Sequence, residues 1–145
     1  MFRSVSKIGF IVLAILLFFG CKDRTPNYPI TPNIEFLQFL QNGNGTATAK
    51  FAFKDGDQDI GNGNNDIHDI FLTLYQKNGN VWDSILTNGY SVPQMNKDGN
   101  RAYEGEIEVQ LFEPYALPPV TKYLVYLKDR AGHFSNKVWT NEIIP

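Results

Sequence analysis

Tyr103-Glu104-Gly105-Glu106-Ile107-Glu108-Val109-Gln110-Leu111 alternates polar and apolar side chains from Glu106 onward. Successive side chains of a strand point to opposite faces, so Ile107, Val109 and Leu111 share one face and Glu104, Glu106 and Glu108 the other. Three carboxylates on one side belong in water. The segment is therefore a strand with one dry face and one solvated face, the mark of an antiparallel sheet.

The same rhythm runs outward in both directions. Ile34 and Phe36 begin a first strand, with Phe39 after them. Ala47, Ala49, Phe51 and Phe53 alternate with Thr48, Lys50 and Ala52, and Ile70, Leu72 and Leu74 with Phe71, Thr73 and Tyr75. Val81 to Leu86, Thr121 to Lys128 and Lys137 to Ile144 supply further strands. Asn42-Gly43, Asn78-Gly79, Asn88-Gly89 and Asp98-Gly99 are turn dipeptides that accept positive φ at little cost. Tyr115 to Pro119, rich in proline, predicts an irregular crossover. No helical periodicity and no internal repeat interrupts the series. The expectation is an all-β fold, an immunoglobulin-like antiparallel β-sandwich of about seven strands over residues 34–145. Eleven Phe and seven Tyr supply bulk for its core. The single cysteine, Cys21, cannot form the intersheet disulfide of antibody domains.

Tyr126-Leu127-Lys128-Asp129-Arg130-Ala131-Gly132-His133-Phe134-Ser135-Asn136-Lys137-Val138 resembles the closing hairpin of bacterial immunoglobulin-like and fibronectin-III-like modules. In those a strand ending in Asp, a turn Ala-Gly-Asn-x-Ser and a last strand recur. His133 stands here where Asn is usual. The resemblance implies the fold and no activity.

The stretch richest in chemistry is Asp55 to Asp69, with five aspartates and three asparagines. Carboxylates at alternate positions let one loop aim several oxygens at one hard cation, and calcium takes six to eight such oxygens. Asp55, Asp57 and Asp59 match the first acidic positions of the EF-hand pattern. Beyond them the match ends: Ile60 stands where that loop has Gly, Asp66 where it has Glu, and no helices flank the segment. A calcium loop between strands is the expectation. Asp55, Asp57, Asp59 and Asp66 are first-choice metal ligands, and Asn64 and Asp69 follow. The plainer reading is a solvated set of Asx-turns. Phe53 to Gly61 also resembles a segment, Phe-Lys-Asp-Gly-Asp-x-Asp-Ile-Gly, that recurs in envelope lipoproteins of one group of Gram-negative bacteria and implies no activity.

The chain of 145 residues opens with Arg3 and Lys7 followed by an apolar run from Ile8 to Phe19, shorter than the roughly 20 residues that cross a bilayer. This is the pattern of a signal peptide. Leu17-Phe18-Phe19-Gly20-Cys21 resembles a lipobox, where lipoprotein signal peptidase cuts before a lipidated cysteine. That resemblance implies a leader over 1–20 and covalent lipid on Cys21. Residues 21–33, with three prolines, would form an extended tether. Lys22-Asp23 resembles the short signal that sends some lipoproteins to the cell surface, and equally suits a solvated linker. The expected location is the cell envelope, lipid-anchored in the outer membrane on its periplasmic or surface face.

Arg3 and Lys7 leave with the leader, so the net charge of −2 becomes −4. With no basic run, nucleic acid is excluded as a partner. No nucleophile elbow, phosphate-binding glycine loop or zinc spacing is present. His68, beside Asp66 and Asp69, suits a surface histidine better than a transition-metal ligand. The chain is expected to be no enzyme but a membrane-anchored binding or structural module, stabilised by calcium, with an envelope protein or glycan as partner. The competing expectation is an accessory carbohydrate-binding lipoprotein of a nutrient uptake system. Aromatics, including Trp82 and Trp139, in an exposed row on one sheet face would favour it, and aromatics turned inward would count against it.

Overall fold

A computed structural model describes residues 27–42, 46–95, 103–112 and 120–144. The leader, Cys21, the first part of the tether, Gly43, Asp98-Gly99 and the Tyr115–Pro119 crossover lie outside the described residues. No helix among the described residues is long and apolar enough to cross a membrane.

Seven strands form two antiparallel sheets: β1 (Asn33–Gln41), β2 (Thr46–Asp55), β3 (Ile70–Asn78), β4 (Val81–Tyr90), β5 (Tyr103–Phe112), β6 (Thr121–Leu127) and β7 (Val138–Trp139). One sheet has the order β1-β2-β5 and the other β4-β3-β6-β7. The chain changes sheet after β2, after β4 and after β5, the Greek-key connectivity of an immunoglobulin-like sandwich.

The core is made by the rows that period two places inward. Ala47, Ala49, Phe51 and Phe53 of β2, with Ile107, Val109 and Leu111 of β5, face Ile70, Leu72 and Leu74 of β3 and Tyr123, Val125 and Leu127 of β6. Glu104, Glu106 and Glu108 are exposed on the opposite face of β5. Phe39 falls out of step with Ile34 and Phe36 because the β1–β2 register shifts between Phe36 and Gln38. The bulge inserts one residue and returns Phe39 to the inner side, packed on the core.

One expectation is corrected. Asn88-Gly89 is not a turn: β4 runs through it, and Gly89 pairs with Phe71. The glycine serves a close approach instead, since a Cβ there would strike the His68 ring. The last residues of the expected tether meet the sandwich. Pro32 is fully buried, and the Tyr28 hydroxyl donates to Glu104 at 2.6 Å.

The last strand is short, and side chains complete what its backbone leaves open. The Asn136 side chain accepts from the Ile34 amide at 2.8 Å and donates to the Ile34 carbonyl at 2.9 Å, copying one step of a β-ladder between β1 and the closing hairpin. Ile143 exchanges both backbone hydrogen bonds with Thr121.

Candidate functional site

The inward row of β2 does not end at Phe53. Its next member is Asp55, the last residue of the strand, with no exposed surface. The inward row of β6, Thr121-Tyr123-Val125-Leu127, likewise continues into Asp129, which is 4% exposed. Two carboxylates therefore close the core at one end of the sandwich, one from each sheet. Burial of this kind is costly unless the charge is paired or coordinates a metal.

The loop after β2 adds two more. Gln58 takes a left-handed conformation with φ 60°, uncommon for a residue with a side chain. It turns the chain between Asp57 and Asp59, and Asp59 is buried at 6% exposure. Ile60 is buried in the core at 1% exposure and pins the loop. An EF-hand would place a flexible glycine at that position, and this loop uses an anchor. Gly61 follows at φ 72°, where a Cβ would strike the Pro93 carbonyl.

One carboxylate oxygen each from Asp55, Asp57 and Asp59 lies within 4.8 Å of the others. Oxygens sharing a calcium at about 2.3–2.6 Å stand no more than roughly 5 Å apart, so the spacing suits a common ion. The hydrogen bonds are as telling. Asp55 Oδ2 accepts from the Asp59 amide at 2.9 Å, and Asp59 Oδ2 from the Ala131 amide at 3.0 Å. The Oδ1 atoms of Asp55, Asp57 and Asp59 are buried and accept nothing. A buried acceptor without a donor costs about 1–3 kcal/mol, and more when charged. The acidic triad could hold a metal ion, and a metal would satisfy all three.

The electrostatics agree. Burial pushes the Asp55 carboxyl up to about 6, against the hydrogen bond from Asp59, and the charges of Asp57, Asp59 and Asp129 add to the rise. Burial also raises Asp59, opposed by the Ala131 amide and by Arg130. Arg130 braces the loop by donating to the Gly61 carbonyl at 2.6 Å and the Gln58 carbonyl at 3.0 Å. Asp129 is occupied: its oxygens meet the His133 amide at 2.7 Å and the His133 ring at 2.8 Å, and its hydrogen bond raises the His133 pKa.

The other expected ligands stand outside the triad. Both oxygens of Asp69 are taken, by Asn62 at 2.6 Å and the Val92 amide at 2.9 Å. Asn64 accepts from the Asp66 amide at 3.0 Å, an Asx-turn, and Asp66 is exposed. These residues shape the second half of the loop. His68 is exposed, with its ring edge-on to Phe71, and is not grouped with Asp66 or Asp69. Asp129 was missed by sequence reasoning because it lies far along the chain. The period-two run ending on it was the available signal.

A second feature lies on the outer face of the β4-β3-β6-β7 sheet. Phe71 and Tyr126 stack at 5.1 Å, and Phe134 meets Tyr126 edge-on at 5.8 Å. Tyr75 meets Trp139 at 4.9 Å, and the Lys122 ammonium sits 4.1 Å from the Trp139 ring centre and 4.2 Å from that of Trp82. Phe134 and Trp139 are 56% and 43% exposed. A cleft of about 520 Å³ lies elsewhere, lined by Tyr90, Val92, Met95, Ile107 and Val109 among others, and contains none of these groups.

No protein-family model, curated protein or solved structure matches the chain.

Proposed function

We propose that the chain is a lipid-anchored module of the cell envelope, non-catalytic, whose acidic loop is fixed by calcium. The observation that carries the calcium reading is the trio of buried, unpartnered Oδ1 atoms on Asp55, Asp57 and Asp59. Calcium suits them because it is hard, takes oxygen ligands and tolerates irregular geometry, with backbone carbonyls and waters filling the shell. Its role is structural. It neutralises charge trapped at the end of the core and stabilises the fold by mass action. Anchoring rests on Cys21 after the apolar run.

The test is thermal unfolding of the Lys22–Pro145 chain after chelation and after adding calcium. Calcium is expected to raise the midpoint, magnesium to raise it less, and Asp57→Asn to diminish the rise. No shift at millimolar calcium would return Asp55–Asp69 to a solvated turn.

A second reading, an accessory carbohydrate-binding lipoprotein of a nutrient uptake system, is favoured by the aromatic row on the outer sheet face. Flat rings at a protein surface pack against the C–H faces of sugar rings. A glycan array probed with the chain tests it, and binding that survives loss of Trp139 and Phe134 would count against this face.

A further inference from the structure

The outer face of the β4-β3-β6-β7 sheet carries more than rings. Lys77 lies 5.5 Å from the Trp82 ring centre, Lys128 5.7 Å from that of Phe134, and Lys137 5.5 Å from that of Tyr126, besides Lys122 between the two tryptophans. Lys77 also has a carboxylate, Glu142, at 3.5 Å. Among the described residues, Lys122, Lys128 and Lys137 have rings beneath them and no ion-pair partner. At the middle of the face the Thr73 and Thr87 hydroxyls lie 2.9 Å apart, a pair of polar groups within the aromatic row.

The opposite face of the sandwich is different. It exposes Glu35, Glu104, Glu106 and Glu108, and its Lys50 is paired with Glu108. The protein is acidic overall, yet among the described residues three of the four lysines without an ion pair, Lys122, Lys128 and Lys137, lie on this ring-bearing face, the fourth being Lys54 over Tyr28 on the opposite one. A cation held over a ring keeps most of its attraction for an anion, because the ring quadrupole offsets only part of the charge.

We propose that this face binds acidic polysaccharide, in which each unit offers an apolar C–H face to a ring and a carboxylate or sulfate to a lysine. The proposal rests on the carbohydrate reading above and names its ligand class. Phe134 and Trp139 provide the exposed platforms, Lys122, Lys128 and Lys137 the charge, and Thr73 and Thr87 hydroxyl contacts. Single-stranded nucleic acid would also use stacking and lysine. It is disfavoured because a dense phosphate chain is repelled by the net negative charge of the protein, whereas acidic sugars carry fewer, more widely spaced charges.

The experiment is affinity electrophoresis of the full chain, solubilised in detergent, through gels containing polygalacturonate, a sulfated polysaccharide, a neutral glucan or oligothymidylate. Retardation by an acidic polysaccharide is expected, weakening with salt. Trp139→Ala, Lys122→Gln and Lys137→Gln should each lower affinity about tenfold, while Lys54→Gln leaves it unchanged. The lysine variants sit on the surface and keep the test valid should Trp139→Ala fail to fold. Equal retardation by the neutral glucan, indifferent to the lysine variants, would overturn the acidic ligand and leave the carbohydrate reading standing. No retardation by any polysaccharide would overturn both. Preference for oligothymidylate would replace the sugar with nucleic acid.

Discussion

Asp57 shows how one side chain can have opposite effects in two states of the protein. Without metal its charge lies beside Asp55 and Asp59 and opposes their ionisation. Asp57→Asn should therefore leave the chelated domain as stable as the parent or slightly more so, while weakening calcium binding at least tenfold, about 1.4 kcal/mol. Paired melts with and without calcium check both signs. The pH dependence follows from Asp55, whose carboxyl rises from 3.8 to about 6 in the fold. Between those values the folded chain holds a proton that the unfolded chain releases, so folding is favoured at the acid end and that contribution is lost as pH climbs through 6. His133, also raised, acts in the same direction. The metal-free midpoint is expected to fall from pH 4 to pH 7, and the calcium-induced rise to grow over the same interval as protons cease to compete. A metal-free midpoint that climbs across this range would contradict the burial argument. At this scale the sequence was legible only in part. The Asp-x-Asp-x-Asp spacing identified the triad. It did not separate Asp69 from it, because only the folded backbone brings Asn62 and the Val92 amide to that carboxylate, nor Asp66, which the fold leaves exposed.

Among the elements, β5 and β2 were plain from alternation alone, since a half-buried strand must repeat every two residues. The exceptions are where geometry departs from that repeat. The bulge after Phe36 broke the period of β1, and Asn88-Gly89 resembled a turn although its glycine accommodates the His68 ring within β4. The ending of the chain was the least legible part. Its strand has only two residues, and its attachment depends on Asn136 acting as backbone toward Ile34. Asn136→Ala removes both bonds and should cost about 1–2 kcal/mol, visible as a lower denaturant midpoint. Gly61→Ala should be at least as damaging. It combines positive φ, about 1–2 kcal/mol for a residue with a Cβ, with a clash against Pro93, and it should also weaken calcium binding by displacing the loop.

Among the described residues, charge and aromatic surface are unevenly spread: most exposed carboxylates of the strands lie outside one sheet, beside Lys50 and Lys54, most lysines and rings outside the other, and a buried acidic cluster at one end. Alternation foretold the acidic face. The aromatic face was foreseen only as a condition, because residue type alone does not tell which side of a strand meets water. Anchoring makes a prediction at this scale too: Cys21→Ser should abolish incorporation of labelled fatty acid into the protein and leave its leader uncut, with the midpoint of the folded domain unchanged. The docked end of the tether adds a consequence of its own. Tyr28 and Pro29 lie against Gly56, between Asp55 and Asp57, so the chain leaves the sandwich beside the acidic loop. Six residues, Lys22–Asn27, then separate Tyr28 from Cys21. Fully stretched they reach roughly 20 Å, only about two screening lengths at physiological salt. A chain lipidated on Cys21 would thus hold its acidic loop within that distance of the headgroups.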